Sequence, residues 1–118
     1  MNQTELKQRT KQFALLIMEL IGALPGTTVG KVVGGQLVRA GTSVGANYRA
    51  ACRARSSAEF MAKLGVVEEE ADECGYWLEL IVDGGLMPQS KIKSLMQEAS
   101  ELTAIVTASI KTAGRNGK

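Results

Sequence analysis

Residues 56–85 read SSAEFMAKLGVVEEEADECGYWLELIVDGG, and their spacing decides the fold. Phe60, Leu64, Val67, Ala71, Cys74, Leu78 and Ile81 recur at alternating steps of four and three. An α-helix gathers such positions on one side, and a seven-residue repeat is the pattern of a seam packed between helices. Ser56 and Glu59 have the spacing of a capping box, in which the serine accepts a bond from the backbone three residues on. Asp83-Gly84-Gly85 stops the pattern, with Gly84 as the C-terminal cap.

The same logic extends upstream. Pro25-Gly26 breaks a first helix expected over about Thr4 to Leu24, whose apolar line is Leu6, Phe13, Ile17, Leu20 and Leu24. Thr27 or Thr28 can cap a second helix reaching about Arg53, with Leu37, Ala40, Val44, Tyr48 and Ala51 facing a core. Gly30, Gly34, Gly41 and Gly45 form a stripe on this helix. Each interior glycine costs about 1 kcal/mol of helix stability against alanine. Glycine persists in a helix where another backbone or a partner comes close. The stripe is therefore expected to be a second contact surface between copies of the chain, the alternative being a local kink.

Downstream, Pro88 belongs at the first turn of a fourth helix. Ile92, Leu95, Ala99, Leu102, Val106, Ser109 and Ala113 make its seam, widened by Met96, Ile105 and Ile110. Four helices joined by short turns pack most simply as an all-α, up-down-up-down four-helix bundle. One domain over residues 1–113 is expected, with 114–118 as a flexible tail.

Composition narrows the function. The 118 residues include two prolines, five aromatic residues, two cysteines and no histidine. No apolar stretch approaches the length of a membrane span. The opening MNQTELKQRTKQ is polar and contains an acid, unlike a signal or transit peptide, so the cytoplasm is the expected location. Cys52 and Cys74 are too few for a disulfide framework and are expected as small buried hydrophobes. Without histidine the usual zinc spacings and a base for Ser43, Ser56 or Ser57 are missing. GTTVGKVVGG lacks the Gly-Lys-Ser/Thr of a phosphate-binding loop, because Lys31 is followed by valine. Glu68, Glu69, Glu70, Asp72 and Glu73 crowd one helix and fan around its axis, as a solvated acidic face does. No metal site and no cofactor are expected.

The net charge of +2 conceals segregation. Residues 1–55 carry eight basic and two acidic side chains, residues 56–83 one and eight, and residues 84–118 five and two. No acid occurs between Glu19 and Glu59, where Arg39, Arg49, Arg53 and Arg55 lie. Guanidinium groups suit phosphate through forked hydrogen bonds, so RNA or DNA is one expected partner of these four arginines. Pairing with glutamates of the neighbouring helix is the other reading. Tyr76-Trp77 could stack on bases, but helix packing accounts for it more simply.

Arg39-Ala-Gly-Thr-Ser-Val-Gly-Ala-Asn-Tyr-Arg49, Arg55-Ser-Ser-Ala-Glu-Phe60, Leu64 to Ala71 and Tyr76-Trp77-Leu78-Glu79-Leu80 resemble the small four-helix bundle family encoded in intervening sequences of bacterial 23S rRNA genes. The likeness covers about residues 10 to 110. It implies an up-down bundle assembling into a ring-like homopentamer, with no enzymatic activity. A related accessory protein of diversity-generating retroelements binds nucleic acid and a reverse transcriptase. Members often carry a proline where Val44 stands here, which implies a straighter second helix. Ser43, Asn47, Tyr48, Arg49, Arg55, Glu59 and Phe60 match the shared block, and Ser43 and Asn47 are expected to satisfy polar groups at a helix interface. Together with Tyr48 and the glycine stripe they form the candidate helix or oligomer interface. The functional expectation is a non-catalytic, homo-oligomeric protein associated with nucleic acid. An interaction scaffold or accessory subunit is the alternative, and a metal-dependent hydrolase the third.

Overall fold

Each break in the hydrophobic pattern becomes a helix end in the computed structural model, which describes residues 1–116. The elements are α1 (Gln3–Gly22), α2 (Thr28–Cys52), α3 (Ser57–Asp83) and α4 (Gln89–Asn116). Side-chain caps start the first three. Asn2 Oδ1 accepts from Glu5 N at 2.8 Å, Thr27 Oγ1 from Gly30 N at 3.1 Å, and Ser56 Oγ from Glu59 N at 3.1 Å. The Glu59 carboxylate reaches back to Arg55 N at 3.3 Å, one residue before the position a capping box predicts. Gly84 caps α3, but the left-handed residue is Gly85, at φ 72°. Leu86 N donates to Ile81 O at 2.9 Å and Gly85 N to Val82 O at 3.0 Å, the paired bonds of a Schellman motif. Pro88 stands immediately before α4. That helix runs on to Asn116, through residues 114–116 of the expected tail; Gly117 and Lys118 lie outside the described residues.

Contacts climb one helix as they descend the next. Along α1 and α2, Thr10 meets Gly45, Ile17 meets Gly41 and Leu24 meets Gly34. Between α3 and α4, Glu68 meets Thr107 and Met61 meets Gly114. Among the described residues α1–α2, α2–α3, α3–α4 and α1–α4 pack together, and the diagonal pairs do not. That is an up-down-up-down square, 49 Å long and 20 Å across. The α1–α4 seam is the loosest of the four.

The predicted seams form the core. On α3 Leu64, Val67, Ala71, Cys74, Leu78 and Ile81 are fully buried, and Phe60, at the end of the line, is half-buried. Ile92 to Val106 continue the core along α4, while Ser109 and Ala113 are half-buried. Truncating any of the buried leucines to alanine is a loss of about 2–5 kcal/mol. Burial, and to a lesser degree Glu70 and Glu73, push the Cys74 thiol up to about 12.

The glycine stripe corrects one expectation. A side chain at Gly30 would overlap the Pro25 carbonyl oxygen, and one at Gly41 would lie 2.5 Å from Ile17 Cδ1. Gly34 faces Leu24 and Ile21, and Gly45 faces Thr10. The closeness these residues permit is therefore between α1 and α2 of one chain, with no kink: α2 is a single unbroken helix, and Val44 is buried in its core line. Thr10, the one buried polar residue of the core, turns its hydroxyl to Leu6 O at 2.9 Å.

Two outcomes follow from this packing. Gly30→Ala should lower unfolding free energy by about 1–3 kcal/mol because backbone must shift, whereas Gly35→Ala, with open space around it, should raise stability by up to about 1 kcal/mol; urea denaturation measures both. A raised thiol pKa disfavours the thiolate, leaving roughly one Cys74 in ten thousand ionised at pH 8. Iodoacetamide at that pH should therefore spare Cys74 in the folded protein and modify it in denaturant, as read by peptide mass.

Candidate nucleic-acid interface

The arginines divide by what α3 and α4 offer them. Arg39 points from α2 to α3, where it pairs with Glu70 at 3.2 Å and with Glu73. Its Nε donates to Gln36 at 3.1 Å, and Glu73 also accepts from Trp77 Nε1 at 2.9 Å. Arg39 is thus an interhelical tie, the pairing that is the other reading of its charge: Glu70 and Glu73 flank the α3 seam on the side turned to α2. Arg9 ties α1 to α4 in the same way. Two bonds of 2.7 Å hold Glu98 in a fork and a third, of 3.0 Å, reaches Glu101. The Glu98 bond, opposed by desolvation, holds the Arg9 guanidinium charged well above its ordinary range.

Arg49, Arg53 and Arg55 are exposed and form no ion pair among the described residues. Arg49 joins Lys7 and Lys11 along an open groove of about 470 Å³ between α1 and α2. Ala14, Gly45 and Ala46 make the groove shallow, and Thr4, Gln8 and Thr42 line it with polar groups. The small residues that let α1 approach α2 therefore also leave a low channel between Lys7 and Lys11 on one side and Arg49 on the other. No acid lines it.

Antiparallel folding enlarges this basic surface. One end of the bundle holds the start of α1, the end of α2, the start of α3 and the end of α4. Lys63 from α3, and Lys111 and Arg115 from α4, are exposed at that same end. The sequence reading missed these three as site residues. Their positions follow from the up-down order, since the first turns of odd helices must meet the last turns of even ones. Glu5, Glu59 and Glu68 are acids toward that end; Glu5 and Glu59 are engaged beside helix caps, and Glu68 accepts from Thr107 Oγ1.

Other expected site residues lie elsewhere. Asn47 donates to Ser43 O at 2.9 Å and to Ser43 Oγ at 2.7 Å, so the pair is satisfied within one turn of α2 and not across an interface. Tyr48 is buried in the core, where burial first and the adjacent Cys52 next raise its hydroxyl far above the ordinary tyrosine value. Trp77 is half-buried against the core with Tyr76 edge-on at 5.2 Å, and Tyr76 itself is exposed. The α3 acids diverge, with Glu68 turned to Thr107, Glu70 and Glu73 to Arg39, and Glu69 and Asp72 to solvent. Among the described residues no three histidine, cysteine or acidic side chains gather around a metal-sized space, and no helix is long and apolar enough to cross a membrane.

Residues 2–108 match the family model described as 23S rRNA-intervening sequence protein. The crystal structure of a protein of unknown function from Bacteroides thetaiotaomicron, assigned to the S23 ribosomal protein family, superimposes with a TM-score of 0.87 at 32% identity, covering 94% of this chain and 99% of that one. No curated protein matches the sequence. The fold, the near-complete coverage and the family match agree: this chain belongs to the 23S rRNA-intervening sequence protein family.

Proposed function

We propose that this protein is a non-catalytic, self-associating bundle that binds RNA or DNA backbone through its basic end. One observation carries the reading. Arg49, Arg53, Arg55, Lys7 and Lys11 are exposed toward one end without an ion pair among the described residues, while Glu98 and Glu101 are taken by Arg9 and Glu70 and Glu73 by Arg39. A polyanion gains from such a surface by releasing its counterions, which makes binding fall steeply with salt. Two free cysteines suit a reducing cytoplasm.

Self-association uses another surface than the glycine stripe. Met18 of α1 and Val29 and Val32 of α2 are more than half exposed and lie toward the opposite end from Arg49, Arg53 and Arg55. Apolar patches of this kind favour protein contacts, and the resemblance to ring-like homopentamers supports a cyclic assembly in which the basic ends repeat. The same exposed residues also favour a second reading, an interaction scaffold or accessory subunit that holds another protein.

Arg49→Glu combined with Arg53→Glu should abolish salt-sensitive RNA binding in a fluorescence titration while leaving helical circular dichroism unchanged. Binding indifferent to both the double substitution and salt would sink the nucleic-acid reading. Light scattering tests assembly. The wild type should exceed the single-chain mass, and Met18→Glu with Val32→Glu should reduce it toward one chain.

A further inference from the structure

At the basic end, the first turns of α1 and the last turns of α4 diverge and leave an open slot of about 530 Å³, within the usual range of small-ligand sites. Its inner wall is apolar and partly aromatic: Leu6 and Tyr48 are buried there, and Phe60 and Ile105 half-buried. Gln3 and Thr112 are exposed at its mouth, beside Ala108. Ser109 adds little, because its hydroxyl already donates to Ile105 O at 3.0 Å.

The charge around the slot selects its occupant. Lys7 follows Gln3 by one helical turn, and Arg115 follows Ala108 and Thr112 on one stripe of α4. Arg53 and Arg55 stand at the same end of the bundle. A chain of phosphates resting on these cations brings flat, apolar groups with polar edges over an aromatic-walled slot with an amide and a hydroxyl at its mouth. Two such basic ends would repel one another, which disfavours the same end of a second copy as the occupant.

We infer that the slot takes an unpaired nucleobase of a single-stranded nucleic acid, an inference resting on the nucleic-acid reading above. Duplex keeps its bases stacked on one another and meets only the cations. A base entering the slot adds stacking against side chains, which corresponds to a preference for single strand of about tenfold or more.

The test compares a short labelled single strand, its duplex, and the same strand with one central abasic site, by fluorescence anisotropy at low salt. Ala108 is exposed, so Ala108→Leu narrows the mouth without disturbing the core. The wild type should favour the single strand over duplex. Ala108→Leu and the abasic site should each remove that preference while leaving duplex affinity within about twofold. Equal affinity for all three probes, unchanged by Ala108→Leu, overturns the slot but leaves phosphate binding standing. A change in assembled mass with Ala108→Leu, and none in probe affinity, overturns it too by assigning the slot to a second copy. Absence of salt-sensitive binding to any probe removes both readings.

Discussion

The seam of α3 is the constraint from which the architecture follows. Its buried line runs from Leu64 to Ile81, and α2 and α4 pack on its two sides. In the bundle that seam is covered from both flanks, which leaves every residue of the line fully buried. The turns at Arg53–Ser56 and at Gly84–Pro88 are too short to bring anything other than α2 and α4 to those flanks. With three helices fixed, α1 fills the remaining corner, and the terms of its entry are set by the glycines of α2. Side chains at Gly30, Gly34, Gly41 and Gly45 would press on the Pro25 turn, Leu24, Ile17 and Thr10 and hold α1 away from α2.

Charge follows the same geometry. Along the chain the cations and acids fall in blocks; in the bundle Arg9 and Arg39 pair with four of the acids while Arg49, Arg53 and Arg55 stay exposed. Arg9 and Arg39 sit opposite acids of α4 and α3 and lock the loosest and one of the tightest seams. Such half-exposed pairs contribute modestly to stability, on the order of 1 kcal/mol each. They also occupy Glu70, Glu73, Glu98 and Glu101.

Most of the fold was legible in the sequence because it rests on period and punctuation. Phe60 to Ile81, the Ser56 cap and the Asp83-Gly84-Gly85 stop each act locally, so local reading finds them. The candidate site was legible only in part. Four arginines in a row of small residues look alike in one dimension, but Arg39 falls opposite Glu70 and Glu73 while Arg49 falls beside Lys7 and Lys11, and only the interhelical register separates them. The glycine stripe misled for the same reason. A row of glycines reports that a backbone approaches closely; it carries no sign of whether that backbone belongs to the same chain. Lys63, Lys111 and Arg115 carried no motif at all, and only the antiparallel order collects them.

Placing the glycines in the intrachain interface also bears on where copies could meet. Had the stripe joined subunits, Arg49 would lie within the contact, since it shares a groove with Gly45. With the stripe covered by α1, the exposed apolar residues Val29 and Val32 are left to any assembly, and the stretch from Val32 to Arg49 spans about 25 Å of helix. That span is about three Debye lengths at physiological salt, so a subunit contact near Val32 would leave the field at Arg49 nearly undisturbed. Copies joined at the apolar end would then present their basic ends in parallel to one strand. Each added contact would be made at the high effective concentration set by the ring and not by dilution in bulk.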